Sequence, residues 1–258
     1  MLKRAHPRFW LRLGSGVAAT CCLVATLTAC SDDSKSTSKL TIFAASSLTE
    51  SFGQLEKAYE KEHPDVDVVI SYGSSTELAD QVAQGAPADV IATADANSIS
   101  NVDDAGLLEA APEQFTSNTL SIVTPADNPA GVTGVDDLNK VDFVACDPVA
   151  PCGAAAKEFL SKAGITTDPV SLEADVKSVL SKVTLGEADA GIVYVTDTIA
   201  ARDKVTAVDI PAELNVVNPY FLAAVKDSAE PELAADWIAL VISQAGQDVL
   251  ADAGFGAE

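Results

Sequence analysis

The sequence predicts an α/β fold in which mostly parallel sheets are flanked by helices. From Leu40 onward, short β-rich runs alternate with helical stretches, which is the pattern of α/β proteins. Several of these runs are almost continuously apolar, as expected for strands covered on both faces. The helical stretches end in dipeptides typical of helix C-termini, namely Gln84-Gly85, Ala163-Gly164 and Leu185-Gly186.

Eight strands are predicted, at residues 40–44, 66–71, 90–93, 119–124, 141–145, 190–194, 205–209 and 216–225. The first helix should follow the first strand, because four apolar residues there fall on one helical face: Leu48, Phe52, Leu55 and Tyr59. One long final helix is predicted at residues 233–250.

Composition marks no domain boundary inside the folded body. Residues 116–118 and 217–219 are the candidate segments at which the chain crosses between domains. Crossing there would create a first domain from residues 39–118 plus 219–258 and a second domain from residues 119–218.

The charge excludes some functions. The 258 residues carry a formal net charge of −22, from 16 Lys+Arg against 38 Asp+Glu. A basic footprint for nucleic acid is therefore not expected, and neither is electrostatic docking onto an anionic membrane. Two histidines and five cysteines leave little material for a metal or haem site, so no cofactor is predicted. A monomer is expected.

The N-terminal residues have the features of an export signal. A basic start precedes an apolar run at residues 16–29, shorter than the roughly 20 residues that span a bilayer. Leu27-Thr28-Ala29-Cys30 resembles the bacterial lipobox, which implies a signal peptide at residues 1–29, cleavage before Cys30 and lipidation of that cysteine. Residues 30–38 would then be a lipidated tether at the outer face of the cell membrane. The alternative is an ordinary cleavage site with an incidental cysteine.

Two cysteines remain in the exported body. Cys21 and Cys22 leave with the signal, so Cys146 and Cys152 are the cysteines of the mature fold. Export permits disulfides, and five intervening residues make a bridge sterically feasible. We therefore predict that Cys146 and Cys152 are paired.

Small and hydroxyl residues mark four predicted helix starts, at residues 44–50, 71–77, 151–155 and 173–176. Ser47 with Glu50 and Ser74 with Glu77 have the spacing of capping boxes, so ordinary capping is one explanation. A helix N-terminus also offers unpaired N–H donors and a partial positive charge, which together bind anions. Ligands of open α/β sheets lie at the carboxyl ends of strands, where the first two segments are expected.

Several such helix starts meeting at one point would hold a dianion with neutral donors only. A fully deprotonated tetrahedral oxyanion has acceptors and no donors, so N–H and O–H groups can satisfy all its oxygens. A buried carboxylate would repel it.

Five segments, in family-like order, resemble the periplasmic molybdate-binding proteins of ABC molybdate transporters: residues 43–49, 74–76, 85–90, 147–157 and 191–194. The resemblance implies a two-lobed type II periplasmic-binding fold with the oxyanion in the cleft between lobes. It also implies an ABC permease in the membrane as partner, molybdate as ligand and tungstate as a second ligand.

The resemblance further implies a ligand-binding set. Ser47 and Ser75 would donate through hydroxyl and backbone N–H, and Tyr194 through its phenol. Cys152 and Val176 would donate backbone N–H groups, although a small apolar residue is common in the family where this chain has Cys152. The alternative for Tyr194 is a buried strand tyrosine with a structural hydrogen bond.

Three other functions are alternatives for this sequence. A receptor for sulfate, thiosulfate or phosphate would differ in ligand size. An enzyme using Ser46 or Ser47 as nucleophile would need a base, and the one histidine after processing is His63 in a polar turn, with no Ser-x-x-Lys at either serine cluster. A surface adhesion lipoprotein would not explain hydroxyl-rich helix starts. The chain is predicted not to be an enzyme.

Overall fold

Residues 37–256 are described by a computed structural model. The predicted signal peptide, Cys30 and most of the predicted tether lie outside this range. Strand β1 begins at Ser38, at the end of that tether. Among the described residues, no helix has the length and apolar character needed to cross a membrane.

Nine strands and eight helices alternate along residues 37–256. The strands are β1 Ser38–Ala45, β2 Val66–Gly73, β3 Val90–Thr93, β4 Glu113–Pro125, β5 Phe143–Cys146, β6 Ser171–Glu173, β7 Ala190–Tyr194, β8 Val205–Val208 and β9 Val217–Ala224. The helices are α1 Thr49–Glu62, α2 Ser75–Ala83, α3 Ala96–Asp104, α4 Pro151–Ala163, α5 Val176–Thr184, α6 Val195–Ala200, α7 Pro231–Ile242 and α8 Gln244–Asp252. Short 3-10 turns lie at Ser46–Leu48 and Val135–Asn139.

The strands form a mixed sheet in the order β2-β1-β3-β9-β4-β7-β5-β6, with β8 pairing to β4. β1 pairs in parallel with β2 and β3, and β5 pairs in parallel with β6 and β7. β4 and β9 run antiparallel to their neighbours. The α/β fold class is thus confirmed, and the antiparallel pairings come from the two strands at the middle of the sheet.

Two lobes can be defined by their hydrophobic cores. The first lobe packs α1–α3, α7 and α8 against β1–β3 and β9. The second lobe packs α4–α6 against β5, β7, β8 and the later part of β4. β4 is long enough to serve both lobes, since residues 113–119 pair with β9 and residues 120–125 pair with β7 and β8. The predicted domain boundaries remain a prediction.

The first core is built around aromatic rings on α1, β4 and α7. Phe52 lies 5.6 Å from Trp237 and 6.1 Å from Phe115 between ring centroids, and all three are fully buried. Each fully buried ring of this kind contributes about 1.5–3 kcal/mol from its burial. The predicted helical face carries this packing, because Phe52, Leu55 and Tyr59 are its buried residues on α1.

The structure differs from the predicted elements in one helix and one additional strand. The single helix expected at residues 233–250 is two helices, broken at Ser243, whose extended backbone lets its Oγ accept the N–H of Gly246. Gly246 packs so closely against the end of α7 that a Cβ would lie 2.3 Å from the carbonyl oxygen of Leu240. Strand β6 was not predicted, because its side chains form no apolar run and Leu172 is 51% exposed at the sheet edge.

Candidate functional site

A small cavity lies at the seam between the two lobes. The space inside it that is open to a water-sized molecule is about 10 Å³. All five residues predicted as oxyanion ligands line it, two from the first lobe and three from the second. The complete lining is Ala45, Ser46, Ser47, Gly73, Ser74, Ser75 and Ala94 from the first lobe, and Ala150, Pro151, Cys152, Asp175, Val176 and Tyr194 from the second.

The first-lobe wall is formed where β1 and β2 end and give way to helical turns. Ser47 lies in the 3-10 turn that leads into α1, and Ser75 is the first residue of α2. The Ser75 Oγ accepts the backbone N–H of Ala94 at 2.9 Å. Because that bond uses the oxygen as acceptor, the Ser75 hydroxyl proton is free to be donated into the cavity.

A second hydroxyl pair supports Ser47. Its Oγ lies 2.7 Å from the hydroxyl of Tyr220 on β9, and the Nδ2 of Asn118 lies 3.5 Å from the same Tyr220 oxygen. If Asn118 donates to Tyr220, the Tyr220 proton points to Ser47, and the Ser47 proton is available to a ligand. Tyr220 and Asn118 are buried, so this arrangement is shielded from water.

Ordinary helix capping, the alternative explanation for the spacing of Ser47 and Ser74, is not seen in their side-chain contacts. Ser74 is the N-cap residue of α2, but its side chain makes no capping bond. Ser47 is not an N-cap residue, since Leu48 precedes α1. Within residues 37–256 the buried Oγ of Ser74 has no hydrogen-bond partner. The serines that the spacing assigned to capping therefore face the cavity.

The second-lobe wall presents the starts of α4 and α5. Pro151 opens α4 and Cys152 follows it, while Val176 opens α5. The first N–H groups of a helix have no partner inside the helix. Asp175 caps α5 by accepting the N–H of Ser178 at 2.9 Å, which leaves the N–H of Val176 directed outward from the first turn.

The start of α4 is fixed to the end of β5 in two ways. A disulfide joins Cys146, the last residue of β5, to Cys152, with 5.8 Å between the Cα atoms. Gly153 approaches so closely that a Cβ on it would lie 1.9 Å from the carbonyl oxygen of Asp147. These constraints hold the loop that supplies Ala150 and Pro151 to the cavity.

Tyr194 ends β7 and is almost completely buried. Its hydroxyl makes no well-formed hydrogen bond among residues 37–256, although it approaches the hydroxyl of Tyr220, whose ring centroid lies 6.2 Å from that of Tyr194. Burial raises the pKa of Tyr194 well above its usual value, with a smaller contribution from Tyr220. The phenol therefore stays protonated near neutral pH and is a buried donor without an acceptor, which is costly unless a ligand supplies one.

The cavity wall carries almost no formal charge. No lysine, arginine or histidine is part of the lining drawn from the described residues, and Asp175 is its one acid. The Asp175 Oδ1 is already bonded to the N–H of Ser178. His63 lies elsewhere, stacked on Tyr59 with 4.3 Å between ring centroids. Between residues 37 and 256 no group of three or more His, Cys, Asp or Glu is arranged to hold a metal ion.

The sequence patterns missed part of the lining. Ser74 was implied only as a member of the Ser74-Ser75-Thr76 motif, and Ala94 and Ala150 carry no chemical feature that would single them out. Tyr220 was also missed, because its contact with Ser47 joins positions 173 residues apart.

Comparison with known proteins gives a consistent family. The family of bacterial extracellular solute-binding proteins matches residues 40–256. The molybdate-binding protein ModA of Mycobacterium tuberculosis is 38% identical over 257 residues, covering 95% of this chain and 98% of that protein.

Solved structures share the fold at lower identity. The periplasmic molybdate-binding protein of Azotobacter vinelandii has a TM-score of 0.77 at 21% identity, covering 85% of this chain and 99% of that one. The sulfate-binding protein SubI of Mycobacterium tuberculosis has a TM-score of 0.76 at 19% identity, covering 84% and 86% of the two chains.

Proposed function

Because the chain belongs to the family of bacterial extracellular solute-binding proteins, we propose that it captures molybdate, and tungstate with it, for an ABC importer. Proteins of this family are non-enzymatic transport components, so the chain is a binding protein and not an enzyme. The proposed ligand site is the cavity between the lobes, and the proposed acceptor of the cargo is the importer's membrane permease.

The observation that carries the proposal is the convergence of neutral donors on that cavity. The starts of α2, α4 and α5 and five serine or tyrosine side chains line one small space, to which the described residues contribute no cationic side chain. The hydroxyls of Ser74 and Tyr194 are buried there without a partner in residues 37–256. A fully deprotonated oxyanion would supply the acceptors that these groups lack.

The choice of molybdate over sulfate rests on sequence. The molybdate-binding and sulfate-binding folds fit this chain about equally well, with TM-scores of 0.77 and 0.76, so the fold does not discriminate. The 38% identity to the Mycobacterium tuberculosis ModA extends over almost the whole of both chains and favours molybdate. Tungstate is included because it has the same charge and tetrahedral shape.

In the proposed binding cycle, the two lobes close around the ligand. Ser47 and Ser75 belong to one lobe, and Cys152, Val176 and Tyr194 belong to the other. We propose that the lobes rotate where β4 and β9 pass between them, near the paired residues Asn118 and Asn218, so that the second set of donors engages only on closure. Lipid on Cys30 would hold the protein at the outer face of the membrane.

Ligand-dependent unfolding of the full chain, purified in a mild detergent, tests the ligand. Molybdate, tungstate, sulfate and phosphate are compared in parallel. A ligand present at about 1,000 times its dissociation constant should add about 4 kcal/mol of stability. Shifts with molybdate and tungstate alone support the proposal. A shift with sulfate alone would move the protein to the sulfate-binding branch, and no shift with any oxyanion would refute an oxyanion site.

Tyr194→Phe tests the donor set with little change in packing. A hydrogen bond to a charged group is worth about 1.5–3 kcal/mol, so the molybdate affinity should fall by about one to two orders of magnitude. Tyr59→Phe is the matched control, because Tyr59 is also buried with a hydroxyl that has no partner in residues 37–256, but it lies outside the cavity. Equal effects of the two substitutions would argue against a ligand role for Tyr194.

A further inference from the structure

Lys177 connects the two lobes beside the cavity. It follows Val176 on α5, and its Nζ lies 3.0 Å from the Asp197 Oδ1 on α6, within the same lobe. The same Nζ donates to the Glu50 Oε2 at 2.6 Å, and Glu50 belongs to α1 of the first lobe. Glu50 is three residues from Ser47, so both ends of this ion pair lie close to proposed ligand-binding residues.

The three charges are unequal in their surroundings. Asp197 is fully buried, whereas the side chains of Lys177 and Glu50 are 24% and 44% exposed. Burial raises the pKa of Asp197, and Lys177 opposes that rise. Burial also lowers the pKa of Lys177, but Asp197 and Glu50 outweigh it and leave that pKa raised, so the lysine is cationic.

Asp197 extends the connection to the backbone of Tyr194. Its Oδ2 accepts the backbone N–H of Tyr194 at 3.1 Å. A buried carboxylate without a cation is strongly unfavourable, so Lys177 and Asp197 should stay paired whether the lobes are open or closed. Glu50 is the partner that opening of the cleft would remove.

We propose that Lys177 is a positioning residue. Its ion pair with Glu50 locks the cleft in the closed form and keeps Tyr194 aligned with the bound anion. The proposal rests on the cleft closure proposed above. In the closed form, an unbroken series of polar contacts runs from Glu50 through Lys177 and Asp197 to the backbone of Tyr194. The lock sets how long the anion stays bound, since the anion leaves only after the lobes separate.

A second contact between the two lobes differs from the Glu50–Lys177 lock because it is a neutral hydrogen bond. The Thr76 Oγ1 donates to the carbonyl oxygen of Val149 at 2.7 Å, joining α2 to the loop before α4. That contact is neutral and should respond little to salt. The Glu50–Lys177 contact is ionic and partly exposed, so salt should weaken it.

Glu50→Gln tests the lock without leaving Lys177 unpaired, because Asp197 remains. In the full chain, purified in detergent, molybdate should dissociate about threefold to tenfold faster from the variant at low salt. At about 1 M salt, where the screening length falls to about 3 Å, the wild-type rate should approach that of the variant. Tungstate should behave in the same way.

Glu158→Gln is the matched control. Glu158 pairs with Lys162 at 2.8 Å along α4 in the second lobe, so the substitution removes an ion pair of similar length that does not cross the cleft. Its dissociation rate should equal that of the wild type. If Glu50→Gln also dissociates at the wild-type rate while the wild type binds molybdate, the lock is refuted and the proposed function stands. If the wild type binds no oxyanion, both proposals fall.

Discussion

The two walls of the cavity present the same kind of donor by different means. In the first-lobe wall, side-chain hydroxyls are held by hydrogen bonds to other parts of the fold, as Ser75 is held by Ala94 and Ser47 by Tyr220. In the second-lobe wall, Tyr194 also presents a hydroxyl, but the backbone N–H groups at the start of α4 are placed by covalent and steric constraints, the Cys146–Cys152 disulfide and the close approach of Gly153.

The two kinds of donor therefore depend on different things: a hydroxyl donor on the identity of the side chain, and an N–H donor on the position of the backbone. A hydroxyl donor is lost when its side chain is replaced. A backbone donor survives replacement of its side chain and is lost only when the main chain moves. We therefore expect the first wall, and Tyr194 in the second, to be sensitive to substitution of the proposed ligand-binding residues themselves. The rest of the second wall should be sensitive to substitutions that displace the turn between β5 and α4.

Of the substitutions predicted here, Gly153→Ala should displace the second-lobe wall the most. The added Cβ would lie 1.9 Å from the carbonyl oxygen of Asp147 and 2.7 Å from that of Cys146, so the helix start must move. We expect a loss of about 3 kcal/mol of stability from overpacking and a fall of at least about 100-fold in molybdate affinity. Denaturant unfolding and calorimetric titration measure the two effects.

Gly53→Ala is the control for this substitution. Gly53 lies on α1, and no atom lies within 4 Å of the position its Cβ would occupy. Replacing a helical glycine by alanine should add about 1 kcal/mol of stability and leave affinity unchanged. Binding by Gly153→Ala at wild-type strength would show that the start of α4 does not contribute donors.

Ser75→Ala and Val176→Ala should distinguish a side-chain donor in the first wall from a backbone donor in the second by their effects on affinity. Removing the Ser75 hydroxyl deletes a donor to a charged ligand, so affinity should fall by about one to two orders of magnitude. Val176→Ala removes core methyl groups and should cost about 1–2 kcal/mol of stability, but its N–H remains and affinity should change less than about threefold. Equal affinity losses would contradict the distinction between side-chain and backbone donors.

The sequence predicted the local parts of both walls and missed the contacts between distant segments. Ser47, Ser75, Cys152 and Tyr194 could be named because each lies in a local motif that resembles a known family, and Val176 because it ends the predicted helix start at residues 173–176. The roles of Asn118 and Tyr220 depend on how β4, β9 and the start of α1 come together in space. No local pattern encodes such a contact.

The fold shows the same limit. Strands with continuous apolar runs were predicted within a few residues, because burial on both faces selects such runs. The start of β4 at Glu113 was missed, since its first residues are polar and are held by pairing with β9. The break at Ser243 was missed because apolar periodicity continues through it, and the bend depends on packing between α7 and α8.

Reduction of the disulfide should have a smaller effect on the second wall. Peptide mapping of the unreduced protein should show Cys146 linked to Cys152, with free thiols there only after reduction. Opening so short a loop should cost about 2 kcal/mol of stability. Molybdate affinity should fall by about threefold to tenfold, because Gly153 still packs against Asp147 and keeps the turn partly ordered. Two free thiols before reduction would refute the bridge.

Alkaline pH should have the smallest effect, and Tyr194 is the proposed ligand-binding residue whose side chain titrates there. The serine hydroxyls of the first wall do not titrate, whereas Tyr194 is a phenol whose pKa is raised by burial. Its proton is therefore retained above the usual value of about 10, and molybdate affinity should be constant between about pH 7 and pH 9. Above about pH 10 the unfolded chain loses this proton while the folded protein keeps it, so stability should fall as pH rises further. Affinity titrations across this range, with Tyr194→Phe for comparison, measure the effect. A fall in wild-type affinity below pH 9 would place a different ionising group at the anion.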